Sequence, residues 1–508
     1  MNGIRKTLLK NKNMKLFNFT DIKEFLFENK AVKQTIFKNT FWLTIGMGLN
    51  RILKLVLFIY AARILGAAEY GKFAFALAFV SLFGIFQDFG ISTIVTREFA
   101  REEKKEEEFN SLVSLEFLLS LGSFILILAS SFFVTTDPDI IRTIMILALF
   151  GSFNSMVGFF YSFFQALQRM EYQAWAEIIQ AALVTGLGIF ILFKIPSAEN
   201  FSYAYLFSAL VGLFFILFYF HFKIFPLRLV WEKEVWKKFL LMSWPMALAG
   251  LFDSIYTYTD SVMLGHWGMF AETGWYNAAF RITWTIYLFT ILASASFYPV
   301  LSKAFKKSKE ELQKIWNYQM ELTIILTIPL VIGGVVLGPK IINLFYGASF
   351  TPSILAFQIL MIMIGILLVY LPFYQAILVS NQQKKLLLSV FIGAMSNVVL
   401  NLILIPKYTL YGAAAATVIS HLLIFFLLFI FTFKFTSIRI PYSRFLSVFL
   451  GVFLSGTIMF FLISSPQIYN LNVFLSIFIG GVIYFIALLA FKKIIPNFKL
   501  LPLKNNVE

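Results

Sequence analysis

Apolar residues along this chain come in blocks of about twenty, set apart by short segments rich in lysine and arginine. A block of that length matches the bilayer core crossed by a helix; a barrel would need ten-residue stretches alternating with period two. About fourteen spans follow. The first six run approximately 41–62, 73–95, 111–134, 140–164, 172–193 and 201–221. The second six run 239–264, 275–300, 319–338, 353–379, 386–405 and 411–433, and two more follow at 442–463 and 471–491. The longest connections, 222–238 and 301–318, are basic linkers too short to hold a globular domain. The expected fold is an all-α polytopic membrane protein.

Charge orients the spans. With the N-terminus inside, 33 of the 42 lysines and arginines fall in inner segments, six in outer segments and three within spans. Positive charge is retained on the cytoplasmic side, so both termini are predicted to be cytoplasmic and the location a cell membrane. The same split explains the net charge of +16 as topology, with no nucleic-acid partner. Residues 1–40 hold nine of the basic residues and no apolar core ahead of a small-residue cleavage site, so they read as a tail rather than a signal peptide. Asp21 to Lys38 has the spacing of an amphipathic surface helix.

An internal repeat divides the spans. Leu65-Gly66 followed by Glu69-Tyr70-Gly71 recurs as Leu264-Gly265 followed by Glu272-Thr273-Gly274. Each copy follows the first span of a six-span block. Six is even, so the blocks insert the same way up and are related by a pseudo-two-fold axis along the membrane normal, with a cavity between them. The predicted organisation is a tail (1–40), a six-helix lobe (41–221), a linker (222–238), a second six-helix lobe (239–433), and two additional helices with a cytoplasmic tail (434–508).

The polar residues inside spans carry the candidate chemistry. Arg51 and Lys54 lie three residues apart on one helical face, and Arg51 falls within about an ångström of the centre of 41–62 at ~1.5 Å per residue. A cation there costs about 2.5–3.5 kcal/mol on insertion scales, so that face is expected to look into a watery cavity or at acidic partners. Arg281 lies inside the eighth span with Asn277 and Thr285, stepping by four. These three cations are the candidate substrate-binding set for an anionic cargo. Asp253, Tyr256, Thr257 and Asp260 share one face of the seventh span, and Asp88 lies in the inner half of the second. Asp253, with Asp88 and Asp260 behind it, is the candidate ion-coupling residue. The structural alternatives are a bridge from Arg51 or Lys54 to Asp88, and one from Asp253 to Arg281.

Composition removes other classes. Hydrophobic residues make up 59% and charged residues 13% of the chain, about half the charged share of a soluble domain. Without cysteine there is no disulfide framework, thiolate metal site or sulfur redox chemistry, and the three histidines show no metal-ligand spacing. No metal or other cofactor is expected. Asp137-Pro138-Asp139 has the form of a metal-binding pair, yet it stands alone in a short loop and reads as a turn and helix cap. No phosphate loop or catalytic set is present, and the chain is not expected to be an enzyme.

Two ordered sets of residues resemble Wzx-type polysaccharide flippases. One comprises Asn39 to Trp42, Ala62-Arg63-Ile64-Leu65-Gly66, Glu69-Tyr70-Gly71, Asp88-Phe89-Gly90 and Thr96-Arg97-Glu98. The other runs from Asn401 through Pro406-Lys407-Tyr408 to Gly412-Ala413-Ala414-Ala415-Ala416-Thr417. The resemblance extends to the superfamily of MATE multidrug exporters and lipid II flippases. It implies two six-helix lobes about a V-shaped cavity, alternating access, coupling to a H⁺ or Na⁺ gradient, and a polyprenyl-pyrophosphate-linked oligosaccharide as cargo. Alternatives are a lipid II or multidrug exporter, or a polytopic polysaccharide polymerase or ligase. Basic cavity charges count against cationic drugs, and the lack of a large outer loop counts against an enzyme.

Overall fold

The computed structural model describes residues 27–29, 32–101 and 106–494, and among these every regular element is helical. Each predicted span falls on a helix, with breaks in the second and eighth. Among the described residues, ten helices are long and apolar enough to cross a membrane; the opening helix Val32–Leu82 and the helix Phe270–Ala295, which carry Arg51, Lys54 and Arg281, fall outside that set. The chain is a multi-pass membrane protein.

The breaks have local causes. Gly66 has φ 73°, a left-handed conformation that side chains resist, and it divides the opening helix into the first two spans. The second span breaks again where Phe89 (φ 52°) and Gly90 (φ 76°) separate Gly84–Asp88 from Ile91–Phe99. The long helix Gln383–Phe435 divides at Thr409, three residues after Pro406 has removed a backbone donor.

The repeat identified in the sequence forms the meeting point of the lobes. At the predicted outer end, a β-carbon on Gly71 would overlap the carbonyl oxygen of Phe270, and one on Gly274 would overlap the carbonyl oxygen of Ala67. Each repeat's glycine therefore admits the backbone of the other, as a two-fold relation requires. Arg63 adds a staple across the same end, donating from Nε to the Phe345 carbonyl at 2.7 Å. At the predicted inner end, the Gly90 break packs against the helix Lys233–His266, where an added β-carbon would lie 2.8 Å from Met246 Cβ. The lobes touch at both ends and leave space between.

The last two helices, Tyr442–Ser464 and Val473–Ile494, dock on Lys309–Tyr346 in the second lobe. Tyr484 donates to the Ile325 carbonyl at 2.8 Å, and Gly456 packs on Ile328.

At the N-terminal side the helix starts at Val32, ahead of the predicted Phe41. Lys38 is fully buried there, 3.0 Å from Glu171 Oε2, and Asn39 donates to Gln168 Oε1 at 2.8 Å. Of the predicted surface helix, residues 21–26, 30 and 31 lie outside the described residues. Truncating one member of a buried ion pair strands the other, at a cost of about 3–5 kcal/mol. Lys38→Met is expected to lower stability by that order, and Lys38→Met with Glu171→Met to recover most of it, read from thermal unfolding in detergent.

Candidate functional site

A cavity of about 350 Å³ lies between the lobes, walled by one stripe from each of their first two helical spans. Arg51, Lys54, Leu55 and Phe58 supply the first stripe, at i, i+3, i+4 and i+7. Ala74, Leu77, Ala78 and Ser81 repeat the spacing on the second span, where small side chains leave the room. Thr257, Tyr258 and Ser261 come from the seventh span, and Asn277, Phe280, Arg281, Trp284 and Thr285 from the eighth. The three cations singled out in the sequence thus line one cavity, and among the described residues no acidic side chain lines it.

The cations differ in setting. Arg51 is exposed to the open space, while Lys54 is half-buried, in the electrostatic field of Glu177 and Arg281. Glu177 itself accepts a hydrogen bond from Gln173 at 2.8 Å. The Arg281 guanidinium lies over the Phe58 ring, 3.3 Å from its centroid, and its Nε is buried without a hydrogen-bond partner. The buried hydroxyls of Tyr205 and Tyr346, in the field of Arg281, are likewise unpartnered. Arg51, Lys54 and Arg281, the last with its Nε unpartnered, line the cavity, and a wall of that kind favours an anion that can accept from several donors.

The three carboxylates are not brought together. Asp88 accepts from the backbone N–H of Ser92 at 3.0 Å and from its hydroxyl at 2.5 Å, which caps the helix after the Phe89–Gly90 break. It forms no ion pair with Arg51 or Lys54. Asp253 faces a separate cavity of about 120 Å³ inside the second lobe, with Tyr256, Tyr370, Tyr374 and His421, rather than Arg281.

Asp260 is only 2% exposed and sits in a shell of oxygen-bearing groups. Tyr276 donates its hydroxyl to one carboxylate oxygen, shared with Thr417 Oγ1 at 2.5 Å; Asn401 Nδ2 donates to the other at 2.5 Å. Asn397 lies one turn before Asn401, which donates to its side-chain oxygen at 3.0 Å. Asn401 and Thr417 open and close the second resembling segment, and the break at Thr409 folds them onto one carboxylate. Carboxylate, hydroxyl and amide oxygens are the donor set of hard cations. Among the described residues no three His, Cys, Asp or Glu side chains form a metal-binding group.

Glu116 and His421 are among the buried groups that the sequence does not single out. Glu116, 1% exposed, accepts from the Ser155 hydroxyl at 2.8 Å and has its other oxygen unpartnered. Its only signal was an acid inside an apolar span. His421 has no second histidine near it in sequence to mark it; its ring meets Tyr256, and its Nδ1 lies 2.8 Å from the Thr417 carbonyl oxygen.

Comparison with known proteins gives concordant relationships. Residues 36–305 match a family model described as "Polysaccharide biosynthesis protein", a stretch that includes every residue lining the central cavity. The chain is 24% identical over 412 residues to the uncharacterized membrane protein MJ1068 of Methanocaldococcus jannaschii, covering 71% of this chain and 78% of that one. It is 25% identical over 386 residues to the probable flippase AglR of Haloferax volcanii, covering 72% and 76%. Its fold is similar to that of the lipid II flippase MurJ in an inward closed conformation, with TM-score 0.71 at 19% identity, over 89% of this chain and 98% of that one.

Proposed function

Because the chain belongs to the polysaccharide biosynthesis protein family, we propose that it flips a lipid-linked oligosaccharide, carried on polyprenyl pyrophosphate, from the inner to the outer leaflet by alternating access. The observation that carries this reading is the cavity between the lobes, with three cations and no acid among the described residues of its wall. A diphosphate is an anion with many acceptor oxygens, and Arg51, Lys54 and Arg281 supply charge-assisted donors from both lobes. Rocking the lobes separates Arg51 and Lys54 from Arg281, which weakens the grip where the head group must leave. The same wall disfavours a multidrug exporter, since an organic cation would meet three positive charges. The chain acts as a carrier rather than an enzyme of the pathway. The test is genetic and chemical: loss of the protein leaves the lipid-linked oligosaccharide on the cytoplasmic leaflet, and the purified protein moves it in proteoliposomes. Normal outer-leaflet delivery without the protein overturns the assignment.

The charge split supports a cytoplasmic-membrane location with both termini in the cytoplasm. The native chain has no cysteine, so single-cysteine labelling reads the topology directly. Ser349→Cys is expected to react with an impermeant thiol reagent on intact cells and Lys309→Cys only after permeabilisation. The reverse pattern inverts the topology.

Transport draws on a cation gradient through Asp260 rather than Asp253 or Asp88. Its burial among Tyr276, Asn401 and Thr417 supports the choice, because a carboxylate shared by helices from three parts of the lobe responds to their movement. Asp260→Asn is expected to abolish gradient-driven flipping while binding of cargo persists. Flipping that ignores both Na⁺ and H⁺ gradients removes this part of the proposal.

A further inference from the structure

The Arg281 side chain crosses from one lobe to the other. It leaves the eighth span, in the second lobe, and its guanidinium settles over Phe58 of the first lobe, 3.3 Å from the ring centroid. That ring belongs to an aromatic bed of the first lobe: Phe58 meets Phe73 and Tyr205, and Tyr205 meets Phe201 and Phe150. The Tyr70 hydroxyl, also from the first lobe, lies within hydrogen-bonding reach of the guanidinium. Arg281 Nε is nevertheless buried without a partner. Arg281 and Phe58 both line the central cavity, and Tyr70 stands one residue before the Gly71 seam. A desolvated guanidinium is held firmly on a ring face. The contact therefore ties the lobes together between the cavity and the predicted outer seal.

The same side chain cannot stay on this ring and share an anion with Arg51. Phe58 lies seven residues beyond Arg51, about 10 Å along the helix. Side chains also lean toward the N-terminus of their own helix. Arg51 and Lys54 therefore lean toward the predicted inner end, and Arg281, on a span that runs the opposite way, leans toward the outer end. We propose that Arg281 is a cargo-released lock between the lobes: it holds the outer end shut while docked on Phe58 and Tyr70, and a diphosphate gathered at Arg51 and Lys54 draws it off the ring and frees that end. This rests on the reading of the cargo as a diphosphate. Charge decides the competition. A ring face and a neutral hydroxyl offer partial negative charge, whereas a diphosphate offers full charges and paired oxygens to the planar fork. The unpartnered Nε is the donor with most to gain. Opening thus becomes conditional on loading, and an empty carrier keeps its outer end closed.

The lock is tested on the purified full chain by the distance between spin labels at Lys194→Cys in the first lobe and Ser349→Cys in the second, both exposed at the predicted outer end. No native cysteine competes for the label, and inorganic pyrophosphate is the probe. The labelled protein is expected to show a short separation alone and a longer one with pyrophosphate. Phe58→Leu keeps an apolar side chain and removes the ring face. It is expected to show the longer separation without pyrophosphate and to bind pyrophosphate about tenfold more tightly, because the ring no longer competes. Tyr70→Phe, which removes only the hydroxyl, is expected to move both readouts the same way by less. A purely structural role for either residue lowers thermal stability or weakens binding, and does not tighten it. Short separations and unchanged affinity in both variants overturn the lock. Opening of both variants without ligand, with no binding of pyrophosphate to any of the proteins, supports the lock and overturns the diphosphate as what releases it, which is a failure of the cargo reading.

Discussion

Arg51→Ala combined with Lys54→Ala is expected to abolish flipping while the protein accumulates in the membrane at normal or higher levels. Both side chains line the cavity from one helical stripe, and neither is engaged in an ion pair that would make it structural. Each charge-assisted hydrogen bond to an anion contributes about 1.5–3 kcal/mol. Loss of two weakens the hold on a diphosphate by roughly two to four orders of magnitude. Insertion moves the other way, since each removed cation relieves the span of about 2.5–3.5 kcal/mol. Arg51→Lys is expected to restore part of the activity, as an ammonium keeps the charge and loses the planar fork that grips two oxygens. Complementation of a flippase-deficient strain, with membrane abundance measured alongside, separates the outcomes. Full activity of the double variant shows that the cargo is held elsewhere.

Gly71→Val is the second substitution with a large expected effect, acting on the cycle rather than on binding. A side chain at Gly71 meets the backbone of Phe270, which cannot swing aside as a flexible side chain can. The predicted outer end then cannot close, and a carrier that cannot close one end cannot alternate. Flipping is expected to fall to background, and Gly274→Val to behave alike because its contact with Ala67 is the two-fold counterpart. A single cysteine replacing Thr257 in the cavity wall reports the conformation. In the Gly71→Val background it is expected to react with an impermeant reagent from outside, and in the otherwise native protein to react far less. Gly122→Ala, which faces open space, serves as the control and is expected to transport normally. Equal reactivity of the Thr257 position in both backgrounds shows that the glycine seam is not the outer closure.

The repeat shows how far a local pattern reaches. Its two copies are 10-residue neighbourhoods, and their similarity alone located the pseudo-two-fold axis. Their purpose, glycine against backbone across that axis, depends on residues about two hundred positions away and has no local signature. The cations behave differently. Arg51, Lys54 and Arg281 stand out because a charge in an apolar span carries a large cost, which singles it out wherever it later packs. That three such charges line one cavity follows from the repeat, which places the first two spans of each lobe face to face.

The carboxylates were visible for the same reason, yet periodicity could not rank them. Asp253 and Asp260 share a helical face, and only the helices laid over that face distinguish them. Asn401 and Thr417, more than 140 residues onward, bury Asp260; an aromatic chamber leaves Asp253 unpaired; the break at Phe89–Gly90 turns Asp88 into a cap. Lys38 reads as part of a tail because hydropathy falls there, and its partner Glu171 lies in a different helix. The amino-acid sequence by itself determined the spans, their expected orientation, the two-fold organisation and the positive sign of the cavity, since each follows from transfer cost and spacing along one helix. The tertiary structure alone decided which acid is enclosed, which cation is paired and where the lobes seal, because those properties belong to the neighbour that covers a face rather than to the face.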